Sequence, residues 1–168
     1  MSTMTDIQIV PCQPKDYDRI AAIYNEYIRL GTATMEESHY DAQRIKSWVD
    51  QFNDRERLYV LKKADVTIGW GIIKKYSTRE GYRYACETAI YLTESEMRKG
   101  HGSRLKQFLI EECRVLGYRH LVAKIFATNT ASIQYNLKLG YTIVGRQKNI
   151  GFKNGAWMDI VIMQYLIY

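Results

Sequence analysis

Residues 82–126 read YRYACETAIYLTESEMRKGHGSRLKQFLIEECRVLGYRHLVAKIF, and the order of elements in this stretch decides the fold. Its first part, closing on the apolar run AIYL, has the aromatic and β-branched content of a strand. That strand leads into the glycine-containing turn MRKGHGS, Met97 to Ser103. Beyond the turn, Leu105, Phe108, Leu109, Cys113 and Leu116 recur at helical spacing up to Gly117, and HLVAKIF then reads as a short, buried strand. Strand, turn, helix and strand compose a βαβ unit, whose right-handed crossover brings the two strands parallel.

The rest of the chain extends this unit on both sides. Upstream, Ile7, Ile9 and Pro11 alternate as a strand, and Ile20, Ile23, Tyr24, Tyr27 and Ile28 mark a helix stopped by Gly31. After the irregular segment TATMEESHY, Asp41 is an N-cap for a second helix carrying Ile45, Trp48, Val49 and Phe52. LYVLKK and VTIGWGIIKKY, separated by Ala64 and Asp65, form a hairpin, followed by the polar loop STREG. Downstream, a helix from Thr130 to Leu139 ends at Gly140, and the strands YTIVGRQKNI and AWMDIVIMQYLIY are separated by GFKNG. The expected fold is α/β: one domain over residues 1–168, with a mixed sheet and about four helices.

Bulk properties narrow the function. With 168 residues, 46% of them hydrophobic, the chain can build one sizeable core. No apolar run approaches the roughly 20 residues needed to cross a bilayer, and the N-terminal residues lack the basic and apolar regions of a leader. The three cysteines, Cys12, Cys86 and Cys113, fit neither a disulfide framework nor a C-x-x-C motif, which points to reduced thiols in the cytoplasm. His39, His101 and His120 are too scattered for a zinc motif, so no metal is assigned. A net charge of +6 suits an anionic partner, but Lys and Arg are interspersed with Asp and Glu instead of forming the basic stripe of a nucleic-acid binder.

A strand-to-helix turn with two glycines suits a diphosphate, because the first amides of a helix lack intrahelical partners. In MRKGHGS, Gly100 and Gly102 let oxygens approach the backbone, and Arg98, Lys99 and Arg104 add positive charge. By the glycines alone, an ordinary turn reads equally well. The turn lacks the G-x-x-x-x-G-K-[ST] pattern and the third glycine of a dinucleotide fingerprint, which disfavours a nucleoside triphosphatase or a dehydrogenase.

The turn, together with STREGYRYACETAIYL, TNTASIQYNLKLGY and VGRQKNIGFKNGAWMD, resembles the GNAT superfamily of N-acetyltransferases, in its phosphinothricin acetyltransferase-like branch. The resemblance covers nearly the whole chain and implies acetyl-CoA as cosubstrate and a small-molecule amine as acceptor. It implies that Ile90, Tyr91 and Leu92 offer backbone hydrogen bonds to the pantetheine arm. Arg98, Lys99, Gly100, His101, Gly102 and Ser103 would hold the pyrophosphate, with Asn129, Ser132 and Asn136 further along the cofactor. Met97 departs from the usual Gln or Arg of the motif, and Asn136 stands where the family places its Tyr or His acid, leaving that acid unassigned.

An amine nucleophile must lose a proton, and Glu87, in an otherwise apolar strand just before AIYL, is the candidate base. The alternative is a carboxylate paired with Arg79 or Arg83. Arg79 could clamp a carboxylate or phosphinate of the acceptor, or be a solvated loop residue; Tyr82, Met35 and Glu36 complete the acceptor candidates. Direct attack in a ternary complex follows from the lack of a cysteine in the loop region, since Cys86 faces the opposite side of the strand from Glu87. Tyrosine-rich strands and the aromatic C-terminal strand are compatible with a homodimer. A non-catalytic acyl-CoA-binding module and a basic nucleic-acid binder are the competing readings.

Overall fold

Elements form where the periodicity places them in the computed structural model, which describes residues 6–168. Strand β1 (Ile7–Pro11) precedes helix α1 (Tyr17–Leu30), which Gly31 closes in the left-handed conformation with φ 69°. Helix α2 (Ala42–Asp50) starts where the Asp41 carboxylate accepts from the Arg44 amide at 2.9 Å. Strands β2 (Arg57–Lys63) and β3 (Val66–Lys75) turn through Ala64 and Asp65, with φ 48° and 67°, the positive pair a tight hairpin requires. Then come β4 (Ala85–Leu92), α3 (His101–Val115), β5 (His120–Phe126), α4 (Thr130–Leu139), β6 (Thr142–Lys153) and β7 (Ala156–Leu166).

Three boundaries differ from the sequence reading. β4 begins at Ala85 because Glu80–Tyr82 is wound into a 3-10 turn, and a second 3-10 turn, Glu94–Glu96, separates β4 from the glycine loop. β6 runs on through GFK to Lys153, so only Asn154 and Gly155 make the turn, at φ 53° and 76°. Two-residue turns keep long hairpins paired to the tip.

The strands form one sheet in the order β1-β2-β3-β4-β5-β7-β6, antiparallel except for the parallel β4–β5 pair. Apolar residues cover both faces. Cys86, Leu109, Cys113, Leu121 and Tyr141 pack between the sheet and α3, whereas Tyr24, Ile45, Trp70 and Ile72 pack beneath α1 and α2. Among the described residues no helix is long and apolar enough to cross a membrane.

One feature of the register positions the site. β4 and β5 pair only from Ala85↔His120 to Glu87↔Val122, after which β5 continues with β7 as far as Phe126↔Ile160, while β4 continues with β3 as far as Leu92↔Gly69. From Thr88 onward the two parallel strands part, and the sheet opens between them.

Candidate active site

The opening leaves half of the β4 backbone without a ladder. In an antiparallel pair alternate residues turn their N–H and C=O toward the partner. The Thr93 amide donates to Ile68 O and Ala85 O accepts from Tyr76, so odd-numbered residues face β3 and Thr88, Ile90 and Leu92 face the opening. Of the three residues expected to offer backbone bonds, Ile90 therefore presents both groups to the gap. Leu92 has its carbonyl capped by the Tyr27 hydroxyl, and Tyr91 turns its backbone to β3.

The glycine loop stands at the end of this edge. Arg98 and Gly100 both adopt positive φ, 62° and 84°, and α3 makes its first bond from the Arg104 amide to Gly100 O at 3.2 Å. The amides of His101, Gly102 and Ser103 thus lie ahead of the intrahelical ladder, oriented for an anion. Gly100 is required by its left-handed φ, whereas a Cβ on Gly102 would meet Ile90 Cδ1 and Leu92 Cδ1 at an ordinary 3.6 Å. Neither packing nor conformation demands glycine at 102, so the space it leaves suits a ligand.

The loop's cations are not all free for that ligand. Glu96 receives Lys63 at 3.2 Å, Lys99 at 3.4 Å and His101 at 3.5 Å, and Arg104 donates to Ile7 O at 3.1 Å, leaving Arg98 as the exposed loop cation without a hydrogen bond or ion pair among the described residues. Burial works to raise the Glu96 carboxyl, but hydrogen bonds from Lys63 and Lys99 outweigh it and hold it below its ordinary value.

On the α4 side, Asn129 is the N-cap, its side chain accepting from the Ser132 amide at 3.2 Å. Asn136 donates to Ser132 O at 2.8 Å, while its Oδ1 is buried with no partner among the described residues. A buried acceptor left unpaired is costly and marks where an incoming N–H or S–H would fit. Burial raises the neighbouring Tyr135 hydroxyl above its ordinary pKa, so that side chain keeps its proton.

A cleft of about 1460 Å³ lies on the α1–α2 side of the opening. It brings together Glu87, Tyr91, Met35, Glu36 and Tyr82; Arg79, the 98–103 loop, Asn129, Ser132 and Asn136 are not part of its wall. Arg79 is exposed at the start of the 3-10 turn that carries Tyr82. Trp70 lines the cleft and buries its indole Nε1 without an acceptor among the described residues.

Glu87 is the last β4 residue paired with β5, so its carboxylate sits at the point where the strands part. Its side chain is 16% exposed and lies between Lys124 Nζ at 3.1 Å and Lys74 Nζ at 3.8 Å. Its ion-pair partners are these lysines, not Arg79 or Arg83, and its surroundings are cationic where the strand pattern implied apolar ones. Lys74 faces Glu87 across the β3–β4 ladder, and Lys124 is two residues beyond Glu87's partner Val122. Sequence reasoning missed both, although a lone lysine in HLVAKIF was a visible signal.

Comparison with known proteins agrees with this geometry. The profile of the acetyltransferase (GNAT) domain matches residues 9–162. An L-methionine sulfoximine/L-methionine sulfone acetyltransferase of Pseudomonas aeruginosa is 32% identical, covering 89% of this chain and 88% of that protein. A phosphinothricin N-acetyltransferase of Alcaligenes faecalis is 31% identical over 89% of this chain and 77% of its own length. Among solved structures, a phosphinothricin acetyltransferase from Sinorhizobium meliloti in complex with acetyl-CoA superposes with a TM-score of 0.90 at 28% identity, over 96% of this chain and 88% of that one.

Proposed function

The chain belongs to the GNAT family of acetyltransferases and is an N-acetyltransferase that uses acetyl-CoA, and from that premise we propose that it acetylates the primary amine of an amino acid or amino-acid analogue, of the phosphinothricin or methionine sulfoximine kind. The observation that carries the proposal is the position of Glu87, which meets both the acceptor cleft and the gap between β4 and β5.

The residues present fit the cosubstrate. Ile90 offers its backbone pair to the pantetheine arm, the amides of residues 101–103 and the exposed Arg98 hold the pyrophosphate, and Asn136 Oδ1 takes a donor from the arm. Acetyl-CoA supplies a thioester carbonyl as the electrophile. Glu87 receives the ammonium proton of the acceptor, directly or through water, and the neutral amine attacks in a ternary complex. Lys74 and Lys124 orient that carboxylate from both sides. Met35, Glu36 and Tyr82 shape the acceptor end of the cleft. Arg79, exposed and outside the cleft wall, meets the acceptor only from the rim.

Thiol release with acetyl-CoA, screened over amino acids, methionine sulfoximine, phosphinothricin, polyamines and peptides, tests the assignment. Turnover should concentrate on the amino-acid class; selective turnover of polyamines or peptides would refute it. Glu87→Gln should lower kcat on the order of 100-fold with acetyl-CoA affinity nearly intact, and a wild-type rate across pH would remove Glu87 from the base role. The same reading places the enzyme in the cytoplasm as a homodimer, paired through the β6–β7 hairpin, where Ile150, Phe152 and Trp157 stand exposed.

A further inference from the structure

Directly behind Glu87, on the α3 face of β4, lies a charged group that no part of the site so far has used. Lys106 is only 2% exposed, although it sits three and seven residues before Leu109 and Cys113 on the apolar face of α3. Its Nζ donates to Thr88 Oγ1 at 2.8 Å and lies 4.9 Å from the centre of the Tyr141 ring. Thr88 Oγ1 is also 3.3 Å from the Tyr141 hydroxyl. Among the described residues no carboxylate is bonded to this ammonium group; the charged residue on β4 is Glu87, whose side chain leaves the opposite face of the sheet.

The position of Thr88 gives this cluster an outlet. Thr88 is the first β4 residue past the end of the β4–β5 pairing, so its backbone lines the opening, and its side chain stands beside that opening on the α3 face. A hydroxyl has one proton and two lone pairs. Lys106 takes one lone pair, and either hydroxyl can be the donor in the Thr88–Tyr141 contact; in the arrangement where Tyr141 donates, Thr88 keeps its own proton available at the gap. The family acid is missing from its place on α4, where Asn136 has no proton to give and Tyr135, one residue earlier, points about 100° away around the helix.

We propose that Lys106 is the proton reservoir for the departing thiolate, acting through Thr88 Oγ1 at the mouth of the β4–β5 gap, with Tyr141 positioning both. As the thioester C–S bond breaks, its electron pair stays on sulfur. Thr88 Oγ1 gives that sulfur a proton, and Lys106 Nζ replaces it. Lys106 is left as a neutral amine and regains a proton from solvent after product release. The acceptor nitrogen loses two protons through Glu87 to solvent, one from the ammonium before attack and one as the tetrahedral intermediate collapses to the amide. One proton is thus released per turnover, and the protons balance. Lys106 touches no reacting atom in this scheme and is a positioning and supply residue.

The groups facing Lys106 support such a cycle. Burial pushes its pKa down to about 8, close to working pH, against the opposing pull of Cys113 on its own helix and of Cys86 and Glu87 on β4. Cys86 and Cys113 lie 3.7 Å apart, and that contact together with burial pushes the Cys86 thiol far up. Burial and the surrounding tyrosine and thiols likewise keep Tyr141 protonated. Lys106 is the one member of the cluster that can both hold and release a proton near neutrality.

The proposal rests on the acetyl-transfer assignment, and its test separates the two. In cosubstrate-free protein carrying 13C-labelled lysine, one ε-carbon signal should titrate near pH 8 and vanish in Lys106→Met. With saturating acetyl-CoA and a turned-over acceptor, wild-type kcat should fall as pH rises through that same value. Lys106→Met should lower kcat on the order of 100-fold and abolish this fall, with KM for acetyl-CoA within about twofold. Thr88→Val should behave alike while keeping the lysine signal, and it carries the test if Lys106→Met does not fold. An active wild type whose high-pH fall survives in either variant, or whose Lys106 titrates in the ordinary lysine range, overturns the lysine role and leaves acetyl transfer standing. An inactive wild type overturns both.

Discussion

At the scale of single residues, Lys106 ties function to a stability cost. Its pKa falls from 10.5 to about 8 on folding, so below pH 8 the folded chain holds a buried charge that the unfolded chain would rather keep in water. Between those values the unfolded state binds more protons, and stability rises with pH. The penalty below pH 8 is on the order of 3 kcal/mol. Lys106→Met should therefore raise the urea midpoint at pH 7, and the gain should shrink by pH 10; equal gains at both would contradict the buried-charge account. The glycine loop yields a second prediction. Gly102→Ala meets Ile90 and Leu92 only in ordinary contact and improves helix propensity by roughly 1 kcal/mol, so thermal stability should hold or rise. The methyl group would stand against these two β4 side chains at the edge where Ile90 offers its backbone pair, and calorimetry should show acetyl-CoA affinity falling tenfold or more, on the order of 1.4 kcal/mol.

At the scale of elements, the far hairpin holds the end of the cleft proposed to take the acceptor. Lys153, near the tip of β6, is 1% exposed and donates from Nζ to Thr34 O at 2.6 Å, next to Met35 and Glu36. Thr34 Oγ1 meets the Tyr24 hydroxyl at 2.8 Å, so the connection between α1 and α2 is pinned from the hairpin and from α1 together. Gly151 lets β6 pass, because a Cβ there would collide with Met35 Cε. Lys153→Met should free this rim and raise the acceptor KM several-fold with little change in the KM for acetyl-CoA. A parallel rise in both constants would mean that the hairpin acts on the whole sheet instead of the rim.

At the scale of the whole molecule, the outer β6–β7 hairpin is too apolar for a face left in water. Phe152 and Trp157 are 55% and 66% exposed, with their rings 5.0 Å apart and tilted by 58°, and Ile150 and Val144 lie on the same strand, β6. A second copy of the chain would cover them. Trp157→Glu should convert a dimer in sedimentation velocity to a monomer, and a wild type that sediments as a monomer would remove the pairing. Because the hairpin carries both this face and Lys153, the monomeric variant should also show a raised acceptor KM.

Much of this was legible in the sequence, for local reasons. Asp41 and Asn129 cap their helices, and Gly31, Gly117 and Gly140 end theirs at positive φ. The strand, glycine turn and helix around MRKGHGS announced an anion site because backbone amides, not distant side chains, create it. Element order, and with it the fold class, follows from such short-range chemistry and from the alternation of apolar residues. What met Glu87 was not legible, because Lys74 and Lys124 arrive from two other strands through a register that side-chain pattern alone does not set. Nor was the thiolate's proton source: the partnership of Lys106 with Thr88 and Tyr141 joins a helix, a strand and the start of another strand 53 residues apart along the chain. Local chemistry thus sets the elements and the glycine turn. Where β4 and β5 separate, and therefore which charged groups stand at the gap, is set by long-range packing that no local segment encodes.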